Sequence, residues 1–151
     1  DWFWITNNMD SKLWLKNQAE KEFDILPYVT KNSVFIHEEG KPIAHYSLSK
    51  RGKYRELNTV IIDKNHRNKG LTYEILDQCG DSIIVFTRNP FLKRALLKSG
   101  YKQIKFPGII PLFTIIVDRF VKTLKMSFTF QFRRLFHQLF YLTKYKMYLK
   151  K

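Results

Sequence analysis

Residues 60–72 read VIIDKNHRNKGLT, an apolar run that breaks into a basic, glycine-containing loop and then into a helix-like segment. A loop between a strand and the start of a helix is typical of phosphate-binding sites. Its backbone N–H groups point towards the anion, and the positive end of the helix dipole adds to the attraction. The sequence therefore predicts a phosphate-binding loop over Arg67–Thr72, in which Gly70 allows the backbone to approach the ligand closely.

The sequence on both sides of this loop alternates between strand and helix patterns. Before the loop we predict a helix from Asp10-Ser11 to about Leu26 and strands at Trp2–Thr6, Ser33–Glu39, Ile43–Lys50 and Tyr54–Asp63. After it we predict helices at Gly70–Gln78 and from Asn89-Pro90 to Gly100, and strands at Ser82–Thr87, Tyr101–Phe106 and Leu112–Val117. An antiparallel meander followed by alternating strands and helices predicts a mixed α/β layer structure.

The positive charge of the chain is concentrated in its C-terminal half. The net charge is +14, yet residues 1–81 contain 12 Lys/Arg and 12 Asp/Glu and are neutral. Residues 82–151 contain 15 Lys/Arg and a single acidic residue, Asp118. This asymmetry indicates an anionic partner, of which a polyphosphate ligand, a nucleic acid and an acidic membrane surface are the three alternatives.

The remaining composition restricts the class of protein. A chain of 151 residues with one cysteine, Cys79, fits a single domain in a reducing compartment and excludes an intramolecular disulfide. The longest apolar run, Phe106–Val117, is interrupted by two prolines and a glycine, so no spanning helix is predicted. We also find no secretory signal, no metal-ligand spacing and no nucleophile-elbow serine. We therefore expect a cytoplasmic protein, soluble or peripheral to a membrane, without a metal site.

Two motifs in the correct order resemble the signatures of the GNAT acyltransferases. Residues 62–72 resemble the acetyl-coenzyme A loop of that family. Asn89, followed eleven residues later by Gly100-Tyr101, resembles its second signature, in which an asparagine opens a helix that ends in Gly-Phe. The resemblance covers about residues 2–117 and implies the GNAT fold, a mixed central sheet of about six to seven strands flanked by helices. Residues 118–151 would follow as a basic, amphipathic helical extension, which divides the chain into segments 1–117 and 118–151.

The resemblance implies an acetyl-CoA-dependent N-acetyltransferase that passes an acetyl group directly to a primary amine. In this family the strand before the loop pairs with the pantetheine arm, the loop binds the pyrophosphate and the asparagine contacts the arm. Thr72 stands where the family has a small Gly or Ala. Asn89 also has a plain alternative role as a helix cap. The cofactor-binding residues implied are Val60, Ile61, Ile62, Arg67, Asn68, Lys69, Gly70, Leu71, Thr72 and Asn89.

The resemblance also implies candidates for the catalytic residues. Glu56 occupies a position where the family often has a glutamate, and we predict it as the base, directly or through a water. Its alternative is a strand-edge carboxylate paired with Arg55 or a nearby lysine. His37 and His45, on the predicted hairpin, are further candidates for a base or relay. Leu96 stands where many members carry the tyrosine that protonates the leaving thiolate, and a leucine cannot donate that proton.

The basic segment 118–151 leaves three interpretations open. Its apolar stripe packs on the domain or on a second subunit of a homodimer, or it lies on an anionic membrane surface, or its basic and aromatic residues contact nucleic acid. With Leu96 at the acid position, a second hypothesis for the whole chain is a GNAT-fold binding module that docks through this segment on nucleic acid, membrane or a protein assembly. The apolar positions of the stripe are Phe128, Phe132, Leu135, Phe136, Leu139 and Leu142.

Overall fold

The computed structural model describes residues 9–21, 29–128, 133, 136–137, 140 and 144–151. The helices are α1 (Met9–Lys21), α2 (Leu71–Cys79), α3 (Pro90–Lys98) and α4 (Ile109–Phe128), with a 3-10 turn at Lys64–His66. The strands are β1 (Ser33–Glu38), β2 (Lys41–Arg51), β3 (Tyr54–Ile62), β4 (Ile83–Thr87), β5 (Lys102–Ile104) and β6 (Lys146–Lys150). They form one six-stranded mixed sheet in the order β1-β2-β3-β4-β6-β5, so the predicted fold class is confirmed.

The chain divides into two compact units. Residues up to 49 together with 57–80 form the first unit, and residues 50–56 together with 81–151 form the second. The predicted division between residues 117 and 118 stays a prediction, although residues on both sides of it belong to the second unit.

The first unit is built on an antiparallel hairpin of β1 and β2. The connecting residues Glu39 and Gly40 both have positive φ, at 50° and 76°. Two successive positive φ values match the right-handed twist of the flanking strands, which is why this short turn closes the hairpin. Helix α1 contributes Trp14, whose ring meets Phe35 edge-on at 6.4 Å. The core cluster contains Leu15, Ala19, Phe35 and Ile61.

The second unit places β6 between β4 and β5, antiparallel to both. In β4, Ile83, Ile84 and Val85 are buried in succession, as expected of a strand that is covered on both faces. Tyr148 of β6 lies opposite Val85 on one side and Gln103 on the other. The last residues of the chain therefore complete the interior of the sheet.

Two predicted elements are wrong. Leu112–Val117 was predicted as a strand but belongs to helix α4. The prediction failed because the segment is rich in β-branched residues and the helix is apolar on its exposed side as well as its packed side. Residues 146–150 were predicted as part of a helix but form strand β6. Strands β4 and β5 pair with this segment on its two sides, and such pairing between distant residues cannot be predicted from a short stretch of sequence. The predicted strand Trp2–Thr6, the helix residues after Lys21, and Phe132, Leu135, Leu139 and Leu142 lie outside the described residues.

No helix within the described residues is long and apolar enough to cross a bilayer.

Candidate functional site

The loop after β3 starts with a capped turn in the first unit. The Asp63 carboxylate accepts a hydrogen bond from the Asn65 backbone N–H at 3.0 Å. That hydrogen bond, with smaller contributions from His66 and Arg67, holds the pKa of Asp63 below its ordinary value. The His66 ring lies between two carboxylates, with Nε2 2.7 Å from Glu38 Oε2 and Nδ1 3.4 Å from Asp63 Oδ1. The turn is thereby attached to the end of the β1 strand.

The segment from Arg67 to Gly70 is exposed and contains two residues in the left-handed region. Asn68 has a φ of 66° and Gly70 a φ of 87°. Arg67 Nε donates to the Ile62 carbonyl at 3.1 Å, which fastens the loop to the last residue of β3. Alternation of left-handed and ordinary conformations turns successive N–H groups towards one side, the geometry that binds anions.

Helix α2 begins directly after this loop. Its N-cap is Gly70, which has no side chain, so no side-chain hydrogen bond caps the helix. The N–H groups of Tyr73 and Glu74 already donate to the Gly70 carbonyl, at 2.8 and 3.2 Å. The uncapped start of α2 remains available for an anion, with the positive end of the helix dipole behind it. The helix is anchored through Leu71, Ile75, Leu76 and Cys79, which are all buried.

Asn89 lies in the second unit, where it caps helix α3. Its Oδ1 accepts hydrogen bonds from the N–H groups of Phe91 and Leu92, at 2.9 and 3.3 Å. Pro90 occupies the first turn, where a missing N–H costs nothing. The helix-cap role considered for Asn89 is therefore present, and its contact with a pantetheine arm stays a prediction.

Glu56 is the centre of a buried ion-pair network in the second unit. Its side chain has no exposed surface, and it accepts a hydrogen bond from Arg51 Nε and another from an Arg119 terminal nitrogen, both at 2.6 Å. Arg51 also donates to Asp118 at 2.6 Å, and Lys122 lies 2.7 Å from the same carboxylate. Two acids and three bases thus form one cluster, in which Glu56 has an evident structural role.

Asp118 is the single acidic residue between residues 82 and 151, and its carboxylate forms ion pairs with Arg51 and Lys122 of this network. Burial acts to raise the pKa of Asp118, but the hydrogen bond and charge of Lys122, with the charges of Arg51 and Arg119, outweigh it. The pKa therefore lies below the ordinary value for an aspartate, and the side chain is a carboxylate at neutral pH.

Known structures identify the fold. No protein-family model matches the sequence, and no curated protein matches it. Among solved structures, Rv2747 of Mycobacterium tuberculosis, in complex with CoA, is 12% identical with a TM-score of 0.66 over 99% of both chains. N-acetylglutamate synthase of Neisseria gonorrhoeae is 9% identical with a TM-score of 0.59, over 99% of this chain and 34% of its own. A GNAT-family acetyltransferase of Staphylococcus aureus is 18% identical, covers 72% and 89% of the two chains and has a TM-score of 0.54. The chain has the GNAT fold.

Leu96, at the position where many GNAT proteins carry a tyrosine, is a core residue here. Its side chain is fully buried, and its carbonyl accepts hydrogen bonds from the N–H groups of Ser99 and Tyr101, at 3.1 and 3.0 Å. Tyr148 supplies a phenol that the sequence did not reveal, because β6 was predicted as helix. Its hydroxyl is buried without a hydrogen-bond partner among the described residues, and burial raises the pKa of this phenol.

His45 is a neutral, buried imidazole in the first unit. Nδ1 must carry the proton, because it lies 3.0 Å from the Thr59 carbonyl, which can only accept. Burial lowers the pKa of His45 to about 4, despite the opposing effect of that hydrogen bond. Thr59 itself has a φ of 53°, an unusual value for a β-branched residue. His37 is also buried, with Nε2 3.1 Å from the hydroxyl oxygen of Ser11.

Within the parts of the chain that are described, no cluster of three or more His, Cys, Asp or Glu residues could hold a metal ion.

Proposed function

We propose that this chain is an acetyl-CoA-dependent N-acetyltransferase that transfers an acetyl group directly to a primary amine. One observation carries the proposal: an exposed basic loop at the end of β3 leads into a helix that begins, uncapped, at a glycine. Proteins of the same fold support it, since Rv2747 and N-acetylglutamate synthase were both solved with CoA bound. We also propose a cytoplasmic location, because Cys79 is the one cysteine of the sequence and is buried, so the chain has no intramolecular disulfide that would need an oxidising compartment.

The loop would bind the pyrophosphate of acetyl-CoA. Backbone N–H groups from Arg67 to Thr72 would donate to the phosphate oxygens, and Lys69, which is exposed, would add a positive charge. The backbone of Val60, Ile61 and Ile62 would pair with the pantetheine arm, as the resemblance to the GNAT family implies. Asn89, in the second unit, is proposed as a further contact with this arm.

The reaction needs a neutral amine and a thioester. The amine nitrogen attacks the thioester carbonyl carbon, a C–N bond forms, and collapse of the tetrahedral intermediate breaks the C–S bond. The nitrogen loses one proton to a base, and the CoA thiolate takes up one. We propose Glu56, or a water near it, as the base, on the strength of the resemblance to the GNAT family; the carboxylate has no exposed surface, so it does not meet the amine directly. Since Leu96 cannot donate, the thiolate would take its proton from water.

Acetyl-CoA should stabilise the protein against heat. At a concentration of about 100 times Kd, binding contributes about 2.7 kcal/mol, which corresponds to a rise in Tm of about 5–10 °C for a chain of this size. Differential scanning fluorimetry measures this rise. Lys69→Glu should weaken binding about tenfold, because it replaces attraction for the pyrophosphate by repulsion. The matched control is Lys41→Glu, since Lys41 is another exposed lysine of the first unit; this variant should leave the shift unchanged. Absence of any shift at millimolar acetyl-CoA would refute the cofactor assignment.

Turnover is tested separately from binding. Incubation with acetyl-CoA and a panel of primary amines should release free CoA thiol, detected by a thiol reagent, with at least one amine above the rate of hydrolysis. If acetyl-CoA stabilises the protein but no amine accelerates thiol release, the chain is a binding module of the GNAT fold and the enzymatic half of the proposal is wrong.

A further inference from the structure

Helix α4 exposes a continuous apolar face. Large apolar side chains recur along one side of the helix at intervals of three and four residues, and each is at least 43% exposed. Apolar patches of this extent on a domain surface mark interaction sites. The residues of this apolar face are Ile109, Ile110, Phe113, Ile116, Val117, Phe120, Val121, Leu124 and Phe128.

The other side of α4 is the one that packs within the second unit. Pro111 and Ile115 are buried there, and Asp118 and Lys122 take part in the ion-pair network. The carboxylate of Asp118 is compensated by Arg51 at 2.6 Å and Lys122 at 2.7 Å. Because Asp118 is the single acid between residues 82 and 151, no uncompensated negative charge accompanies the apolar face.

Positive charge predominates in the second unit, which carries this face. The second unit contains 19 Lys/Arg against 3 Asp/Glu, a net charge of +16, whereas the first unit has a net charge of −2. Exposed lysines lie near both ends of α4. Lys105 precedes the helix by four residues, and Lys125 lies in its last turn. Lys53 follows Gly52, whose Cα faces the Ile110 side chain so closely that an added Cβ would lie 3.1 Å from Ile110 Cγ2.

We propose that α4 docks on the surface of an anionic lipid bilayer. The apolar face would enter the boundary between headgroups and acyl chains, and the flanking lysines would contact acidic headgroups. Six of the nine residues of the apolar face are aliphatic, so they cannot stack on bases as a single-stranded nucleic-acid site requires. A second copy of the chain would bring two units of charge +16 together, which opposes self-association through this face.

Vesicle flotation with the full chain tests the proposal. The protein should float with vesicles of phosphatidylcholine and phosphatidylglycerol at a ratio of about 7:3, and much less with pure phosphatidylcholine, since attraction by acidic lipid contributes to binding. The double variant Phe113→Ser/Phe120→Ser should reduce the partition coefficient between vesicles and water at least about tenfold, because the transfer of two large apolar side chains from water into the bilayer no longer contributes to binding. Phe91→Ser on α3 is the matched control, since Phe91 is 73% exposed but lies on another helix. It should bind as the unaltered chain does.

A second set of variants tests the electrostatic half. Lys53→Gln, Lys105→Gln and Lys125→Gln should each lower binding to the acidic vesicles about fivefold, and about 0.5 M salt should lower it further. The proposal is overturned if the chain does not float with the acidic vesicles, or if it binds equally to the acidic vesicles and to those of pure phosphatidylcholine. It is also overturned if light scattering shows a dimer that Phe113→Ser/Phe120→Ser dissociates, since the face would then join two copies. Binding to single-stranded RNA that the same double variant abolishes would equally overturn it.

Discussion

Replacement of Glu56 by alanine should lower the free energy of unfolding by about 3–5 kcal/mol, the usual cost of removing one partner of a buried ion pair. Glu56 has no exposed surface and Arg51 is only 7% exposed, so the variant leaves a buried guanidinium without one of its two carboxylate partners at 2.6 Å, and Asp118 alone remains. Arg119 loses its partner at the same time. Urea unfolding followed by circular dichroism measures the change, and an unaltered m-value shows that the two end states remain comparable.

The ion pair of Asp81 and Lys150 provides a control in the same unit. Its atoms are 3.7 Å apart and Asp81 is 71% exposed, so Asp81→Ala should cost less than about 1 kcal/mol. The double variant Glu56→Met/Arg51→Met removes both charges and should be more stable than Glu56→Ala, because no charge is left buried between these two positions. A loss for Glu56→Ala no larger than that for Asp81→Ala would contradict the structural role of the network.

Glu56→Gln separates the structural role from the proposed catalytic one. The amide keeps the volume and one acceptor oxygen but cannot take a proton. If Glu56 is the base, kcat falls while the KM for acetyl-CoA is kept, and the acidic limb of the pH–rate profile changes. If it only holds Arg51 and Arg119, activity at a temperature well below the Tm of the variant is retained.

Local sequence signals were sufficient for the elements around the cofactor loop. Asn89 caps the start of helix α3 and Pro90 occupies its first turn. Gly70 and Gly80, at the two ends of α2, adopt the positive φ values that a glycine permits. These features depend on residues within a few positions of each other. The order of strands and helices, together with the two motifs, was therefore enough to predict the fold.

The rest depended on contacts between distant residues. Helix α4 was predicted in part as a strand because its exposed face is apolar too, which hides the 3.6-residue period that distinguishes a surface helix. Strand β6 is extended because it pairs with β4 on one side and β5 on the other. The Arg119 partner of Glu56 is 63 residues away, so no spacing could indicate that the carboxylate is buried and doubly paired.

Lowering the pH from about 7 to about 4 should destabilise the protein through His45 by up to about 3 kcal/mol. The pKa of His45 is about 4 in the folded chain, whereas an unfolded chain has the ordinary histidine pKa of 6.5. Between these values the unfolded chain binds the proton and the folded chain does not. The contribution of His45 to stability is therefore fully present above pH 6.5 and is lost progressively as the pH falls towards 4. Urea unfolding at closely spaced pH values measures the slope.

His45→Asn isolates this effect, because an asparagine amide can still donate to the Thr59 carbonyl but does not titrate in this range. The slope of stability between pH 6.5 and 4 should become shallower, and His37→Asn serves as the control for the other buried imidazole of the first unit. The pKa values of Asp63 and Asp118 both lie below the ordinary value for an aspartate, so the contributions of these two groups are lost at lower pH than that of His45. An unchanged slope in His45→Asn would mean that the imidazole is protonated in the folded chain, and a charged His45 would then have to find a partner for its Nε2, which has none among the described residues.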